Sequence, residues 1–210
     1  MLPDGTADGN TDGNVDLRVQ KTREKINKSF CALLLEKDYE TISVTEICRR
    51  AHIQRKTFYT YYRSVDELLQ EKLDMISRKY IERIKDYSVP EDISAINRTF
   101  YIFSNEQGEL YEKIVCSSKF TSIGSKLLKN LVRKTWQEAY WFKNLHAYEQ
   151  NILLSFIYST GAGLYKQWVD DGKVIKLEDM ILYAERLLEQ GVKGFSKLVR
   201  KEYVSRHEHL

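Results

Sequence analysis

A short basic and aromatic stretch contains the residues best suited to bind nucleic acid. Residues 54–61 read QRKTFYTY, and Phe58 is the one residue among them without a polar side-chain group. Arg and Lys donate hydrogen bonds to guanine edges and phosphates, Thr contacts the thymine methyl, and Tyr hydroxyls reach phosphate oxygens. Phe58 and Ile53 are expected to face inward. The predicted DNA-contacting side chains of this stretch are Gln54, Arg55, Lys56, Thr57, Tyr59, Thr60 and Tyr61.

The charge of the chain is concentrated around this stretch. Residues 1–17 hold four Asp and no Lys or Arg, whereas residues 18–63 hold eleven Lys or Arg against five acidic residues. The remaining 147 residues carry a net charge of only +1. A concentrated positive field on an otherwise neutral protein is typical of a nucleic-acid-binding domain. Charge alone leaves open the alternative that these residues form only a solvated helix surface.

The elements that position these residues are short helices. Apolar residues at helical spacing predict a first helix over about 18–36, with the stripe Ile26, Phe30, Leu33 and Leu34. Asp38 is expected to end it in a left-handed backbone conformation. A second helix opens at Ser43 or Val44, where Ser43 and Glu46 have capping-box spacing. A turn at 52–53 leads to a third helix over about 54–60, and a fourth begins near Ser64.

Two helices of under ten residues, joined by a tight turn and preceded by a long helix, form a helix-turn-helix arrangement. We therefore predict an all-α protein with a three-helix DNA-binding domain at 17–63, whose motif spans about 43–62. Residues 1–16 are expected to be a disordered acidic tail. Residues 64–200 are expected to form a helical bundle for ligand binding and dimerisation, and 201–210 a frayed tail.

The segments TISVTEI at 41–47, AHI at 51–53, KTFYTYY at 56–62 and ELL at 67–69 resemble the N-terminal domain of the TetR family of bacterial transcription regulators. The similarity covers about residues 20–70. It implies that Arg55, Lys56, Thr57, Tyr59 and Tyr61 contact the major groove. It further implies that the start of the second helix contacts phosphate through Ser43, Val44 and Thr45.

The sequence departs from the family pattern at three positions. His52 stands where the turn usually has Gly, and His tolerates a left-handed backbone better than most residues but worse than Gly. Asp38 likewise replaces a usual Gly. Val65 replaces a Lys that often holds a phosphate at the start of the fourth helix, which removes one expected DNA contact.

Aromatic residues are concentrated in the segment 87–168, which contains fifteen of the twenty-five in the chain. We predict helices near 91–105, 108–116, 122–143, 146–170 and 177–200. Aromatic side chains at helical spacing usually fill a core, but a bundle of this kind also accommodates an apolar or aromatic ligand. The candidate ligand-binding residues are Phe100, Phe103, Tyr111, Phe120, Trp136, Tyr140 and Phe156.

The last two helices carry apolar stripes wide enough to predict self-association. The family resemblance implies a homodimer built by these helices, with DNA-binding domains about 34–36 Å apart on a palindromic operator. Gly161 and Gly163 are expected to allow close helix approach. The segments 159–164, 168–172 and 177–180 resemble a TetR-like branch that includes regulators of dihydroxyacetone kinase operons. The candidate interface residues are Phe156, Gly161, Leu164, Trp168, Ala184 and Leu188.

No catalytic constellation is found in the sequence. His146 with Glu149 is H-x-x-E rather than the H-E-x-x-H of zinc proteases, and no nucleophile elbow or phosphate-binding Gly loop is present. No cofactor or metal site is predicted. The absence of a signal peptide and of a bilayer-length apolar run predicts a cytoplasmic protein without membrane contact.

These observations predict a transcription regulator rather than an enzyme. The favoured hypothesis is a homodimeric repressor that binds double-stranded operator DNA and is released by a small effector. The alternative is a protein-binding coactivator of the same family that does not recognise DNA specifically.

Overall fold

The computed structural model describes residues 11–89, 91–117, 133, 136–137 and 139–207, with side chains between 17 and 197 except at 140 and 141. Within these ranges the chain forms α-helices and no strand, which confirms the predicted all-α class. None of the described helices has the length and apolarity needed to cross a membrane. The chain divides into two units, 1–69 and 70–210, six residues beyond the predicted boundary.

The N-terminal unit contains three helices and the start of a fourth. The helices are α1 (Thr11–Glu36), α2 (Val44–Ala51), α3 (Arg55–Tyr61) and α4 (Val65–Ile84), with a 3-10 turn (Tyr39–Thr41) between α1 and α2. The predicted stripe of α1 is buried. It packs in a core to which the other elements contribute Ile47, Cys48, Phe58, Leu68 and Leu69.

Two predictions for the ends of α1 are wrong. The helix begins at Thr11, so residues 11–16 are not part of a disordered tail. Asp, Gly and Asn have low helix propensity, but adding residues to an existing helix costs little because each adds a hydrogen bond. Asp38 is extended, with φ −65° and ψ 140°, rather than left-handed. It precedes the 3-10 turn, and this turn reverses the chain without a positive φ.

The turn between α2 and α3 has the predicted backbone. His52 lies in the left-handed region at φ 54° and ψ 48°, and its N–H donates to the carbonyl of Arg49 at 3.3 Å. The next N–H, from Ile53, donates to the carbonyl of Cys48 at 3.0 Å. Left-handed backbone at the end of a helix satisfies its last carbonyls, so His52 performs the role usually given to Gly.

The described residues of the C-terminal unit form the rest of α4 and five further helices. These are α5 (Ile93–Glu106), α6 (Glu109–Cys116), α7 (Tyr140–Lys143), α8 (Ala147–Asp170) and α9 (Leu177–His207). Helix α9 continues to His207, so the predicted frayed tail at 201–210 is wrong up to that residue. The ring of Phe156 lies against Gly191, and its Cζ is 2.3 Å from the position that a Cβ of residue 191 would take. Within the chain the close approach is therefore at Gly191, and Gly163 has open space beside it.

The helix predicted over 122–143 is interrupted near its end. Ala139 has an extended backbone, with φ −69° and ψ 119°, and α7 begins after it. Trp136 and Phe142 are both buried, with ring centroids 5.9 Å apart. In one continuous helix these residues would point about 120° apart. The break at Ala139 allows both rings to enter the same core.

Candidate nucleic-acid interface

Helix α3 is anchored by one buried ring. Phe58 is fully buried and packs against the rings of Tyr59 and Tyr62, with centroid distances of 5.6 and 5.7 Å. Lys56 and Thr60 lie two residues to either side of Phe58, which places them on the opposite side of the helix. Both are exposed. The apolar contact of Phe58 therefore fixes which side of α3 faces solvent.

Arg55 and Tyr59 form a pair on the exposed side of α3. The guanidinium carbon of Arg55 lies 5.9 Å from the centre of the Tyr59 ring, and its Nη2 is 3.4 Å from the Tyr59 hydroxyl. Tyr59 is 49% exposed. Contact with an aromatic ring limits the rotamers of Arg55, so less conformational entropy is lost when it binds a base or a phosphate.

The remaining predicted α3 contacts are less accessible. Thr57 and Tyr61 are half-buried, and Gln54 is exposed and precedes the helix. The Thr60 hydroxyl donates to the carbonyl of Lys56 at 3.1 Å. The structure therefore brings the predicted residues together on one short helix, and gives Arg55, Lys56, Tyr59 and Thr60 the most solvent-exposed positions.

Tyr62 is a positioning residue that was not among the predicted site residues. Its buried hydroxyl accepts hydrogen bonds from Asn27 Nδ2 at 3.1 Å and from Arg23 Nε at 3.4 Å. These bonds tie the C-terminal end of α3 to α1. The available signal in the sequence is the spacing of Tyr62 four residues after Phe58, on the same inward side.

The start of α2 is held by a network of short polar contacts. Ser43 Oγ accepts from the Glu46 N–H at 3.3 Å, and the Ser43 N–H donates to Glu46 Oε2 at 3.1 Å, which confirms the predicted capping box. Lys37 Nζ lies 2.5 Å from Glu46 Oε1. This ammonium and the two donors of Ser43 lower the pKa of Glu46 to about 2, so its carboxylate stays ionised.

The capping network changes the expectation for the phosphate contacts of α2. The Ser43 hydroxyl also donates to Glu46 Oε2 at 2.8 Å, so it is already engaged on both sides. Thr45 is exposed and Val44 is half-buried.

The C-terminal end of α2 adds two exposed basic residues that were not predicted as contacts. Of these, Arg50 is paired with Glu36 at 2.6 Å, and Arg49 points to solvent.

The comparisons with known proteins match this same unit. Residues 31–71 match the family model described as bacterial regulatory proteins, tetR family. The uncharacterized HTH-type transcriptional regulator YxbF of Bacillus subtilis (strain 168) is 37% identical over 78 residues. The N-terminal unit is a TetR-family helix-turn-helix domain. The match to YxbF covers 37% of this chain and 20% of that protein, so the chain spans about a fifth of the length of this relative.

Two solved structures extend the similarity in fold to most of the chain. A TetR transcriptional regulator from Streptococcus agalactiae 2603V superposes with a TM-score of 0.63 at 24% identity, covering 85% of this chain and 99% of that one. NalD of Pseudomonas aeruginosa gives a TM-score of 0.61 at 18% identity, covering 83% and 96%. NalD is described as the secondary repressor of the MexAB-OprM multidrug efflux pump. At these identities the similarity is one of fold, and it includes the helices that follow the N-terminal unit.

The predicted ligand-binding residues are divided between a cavity and the core. Phe100 and Trp136 line a cavity in the C-terminal unit. Phe103 is instead packed against Tyr80 and Ile84, and Tyr111 against Tyr165. Phe156 covers Gly191. Phe120 and the side chain of Tyr140 lie outside the described residues. Aromatic spacing identified the core, but it could not show which rings face the empty space.

Most of the predicted interface residues are buried within the chain itself. Gly161, Trp168, Ala184 and Leu188 are buried, Leu164 is half-buried, and Phe156 remains partly exposed. Trp168 donates its indole N–H to the carbonyl of Ile175 at 2.9 Å. A helix with two apolar sides gives no sign in its sequence of which side packs inward. The exposed side of α8 carries Tyr148, Ile152 and Phe156, and that of α9 carries Tyr183 and Leu187.

His146 and Glu149 cap a helix. The His146 N–H donates to Glu149 Oε2 at 2.7 Å at the start of α8. In the part of the chain that the structure describes, no three His, Cys, Asp or Glu residues come together as metal ligands.

Proposed function

We propose that this chain is a TetR-family repressor that binds a palindromic DNA operator as a homodimer in the cytoplasm and is released by a small apolar effector. The observation that carries the proposal is α3 of the TetR-family domain. Its buried Phe58 directs the exposed Arg55, Lys56 and Tyr59 away from the core. These are the side-chain types that bind base edges and phosphates in the major groove.

Fluorescence anisotropy on the DNA that flanks the gene tests DNA recognition. The flanking duplex and a scrambled duplex are titrated with the full chain at several salt concentrations. A dimer that makes about six to ten phosphate contacts loses roughly 10³–10⁵ in affinity between about 50 and 200 mM salt. Preference for the flanking duplex with this salt dependence is expected. Equal, weak binding to both duplexes would favour the protein-binding coactivator instead.

The double variant Arg55→Ala/Lys56→Ala locates the DNA-binding surface. It is expected to abolish the preference for the flanking duplex, because it removes both cations at the start of α3. Arg78→Ala/Lys79→Ala is the matched control, since this neighbouring pair on α4 is also exposed and removes the same charge. Equal losses in the two variants would show that net charge, rather than α3, determines binding.

The homodimer is proposed on the exposed apolar sides of α8 and α9. Ile152 and Leu187 are each 57% exposed and continue these two surfaces. Large apolar side chains exposed on neighbouring helices are typical of an interaction site when they form one patch. Ile152→Glu and Leu187→Glu are each expected to convert a dimer to a monomer in sedimentation equilibrium. Leu35→Glu, at an exposed Leu of α1, is the control and should leave the dimer intact.

A further inference from the structure

The C-terminal unit contains a cavity with apolar walls. Its volume is about 70 Å³, several times the roughly 10–15 Å³ that one water requires. Helices α4, α5, α8 and α9 all contribute to its wall, and Trp136 contributes a ring. Its apolar lining includes Ile84, Ile93, Phe100, Trp136, Ile157 and Leu188. The cavity therefore favours a ligand with a mainly apolar body.

One buried polar atom in this wall has no partner. Asn97 of α5 is 5% exposed, and its Nδ2 forms no hydrogen bond with any described group. The hydroxyl of Tyr80, also in the wall, already donates to the carbonyl of Ile96 at 3.3 Å. Burial of an amide donor without an acceptor is unfavourable, and such groups in proteins are normally satisfied. Asn97 thus offers an N–H donor at a fixed point of an apolar cavity.

The described wall carries no formal charge. Tyr80 and Tyr158 are its only titratable side chains among the described residues. Burial raises the pKa of Tyr158 to about 12 and raises that of Tyr80 further, so both hydroxyls remain neutral at physiological pH. A charged ligand would lose its hydration without gaining a counter-charge from these residues.

We propose that this cavity binds an uncharged, mainly apolar molecule whose one buried hydrogen-bond acceptor, a carbonyl or ether oxygen, accepts from Nδ2 of Asn97. The inference rests on the effector function proposed above and adds the chemistry of the effector. The apolar wall supplies most of the affinity, and Asn97 selects among ligands of the same shape, because an isostere without an acceptor leaves the donor unpaired.

Three small probes separate these features. Butanone is neutral and has a carbonyl acceptor, 2-methyl-1-butene has the same shape without one, and propionate is an anion of the same shape. All three have five non-hydrogen atoms, in keeping with the small volume of the cavity. Each is titrated into the full chain without DNA and followed by calorimetry and by tryptophan emission, to which Trp136 contributes from the cavity wall. Butanone is expected to bind about three- to tenfold more tightly than 2-methyl-1-butene. Propionate is expected to bind at least about 100-fold more weakly than butanone.

Asn97→Leu removes the donor and keeps the number and branching of the side-chain heavy atoms. It should remove the preference for butanone over 2-methyl-1-butene and leave the melting temperature unchanged or higher, because an unpaired buried amide is lost. Asn105→Leu is the matched control on α5, where a half-buried Asn does not line the cavity. This variant should retain the preference.

The outcomes distinguish this proposal from the one it rests on. A preference for butanone that Asn97→Leu abolishes and Asn105→Leu preserves would support it. Failure of all three probes to bind, equal binding of propionate, or a preference that survives Asn97→Leu would overturn it. Anisotropy with the flanking duplex on the same preparation reports on DNA recognition separately, so operator binding without probe binding rejects only the effector chemistry. Probe binding without operator binding rejects only the regulator.

Discussion

The N-terminal and C-terminal units differ in whether their buried polar side-chain atoms have hydrogen-bond partners. In the described part of the N-terminal unit every buried side-chain nitrogen or oxygen has a partner, as the hydroxyl of Tyr62 has in Arg23 and Asn27. In the C-terminal unit Asn97 Nδ2 and the hydroxyls of Tyr101 and Tyr165 are buried without one. The first unit thus has a closed polar network, and the second retains unused donors.

The difference fits the work proposed for each unit. DNA binding requires α3 to present its side chains in a fixed orientation, and paired polar groups rigidify the helices behind it. A ligand site instead requires groups that are unsatisfied until the ligand arrives, and each of these costs stability. We therefore expect the TetR-family domain to be rigid. We expect the C-terminal unit to be less stable without a ligand and to gain stability when one binds.

The largest predicted effect tests whether the two units are stabilised separately. Phe58→Ala removes the fully buried anchor of α3 and should lower the free energy of unfolding of the N-terminal unit by about 3–5 kcal/mol. Hydrogen exchange should then accelerate across residues 17–69 and specific DNA binding should be lost. The measurement is exchange followed by mass spectrometry of peptides from both units.

Phe103→Ala is the matched variant in the C-terminal unit, where Phe103 is buried against Tyr80 and Ile84. It should accelerate exchange in the peptides of α4 and α5 and leave those of α2 and α3 protected. Uniform acceleration throughout the chain in either variant would show that the two units unfold as one, and the comparison would fail.

The helices of the N-terminal unit were predictable because local signals agree. The stripe of α1, the Ser43–Glu46 capping box and the left-handed His52 each depend on neighbours in sequence, and all three are confirmed. The conformation of Asp38 was not predictable, since either an extended or a left-handed residue ends a helix. The break at Ala139 was not predictable either, because it depends on the packing of Trp136 and Phe142 in one core and not on a local sequence signal.

The candidate sites differ in the same way. A helix of seven residues with one buried ring leaves few choices for its exposed side, so Arg55, Lys56 and Tyr59 could be named from the sequence. The cavity depends on how four helices leave space between them, and Asn97, whose buried amide donor is unpaired, was not among the predicted residues. A lone Asn on an apolar stripe becomes informative only when its lack of partners is known.

Two Tyr→Phe variants give the sharpest test of the contrast in polar groups. Tyr62→Phe removes a hydroxyl that accepts two hydrogen bonds, and it should lower the free energy of unfolding by about 1 kcal/mol. Tyr101→Phe removes a fully buried hydroxyl without a partner and should be neutral or stabilising by up to about 1 kcal/mol. Urea unfolding of both variants measures the difference. Equal destabilisation would mean that the Tyr101 hydroxyl is also satisfied, and the contrast between the units would disappear.

The smallest predicted effect concerns the charge network at the start of α2. The pKa of Glu46 is about 2 in the folded protein against a usual value of 4.5, chiefly because Lys37 donates to its carboxylate. Since the folded pKa is the lower one, ionised Glu46 stabilises the fold above about pH 4.5, and this contribution is lost as the pH falls toward 2. Lys37→Met should raise the pKa of Glu46 toward its usual value, as measured by carboxyl NMR titration, and should move acid unfolding to higher pH. Lys25→Met, at an exposed Lys of α1, should change neither. A Glu46 titration that is unaffected by Lys37→Met would assign the low pKa to the Ser43 cap alone. The start of α2 would then depend on its capping box and not on the ion pair with Lys37, the residue that follows α1.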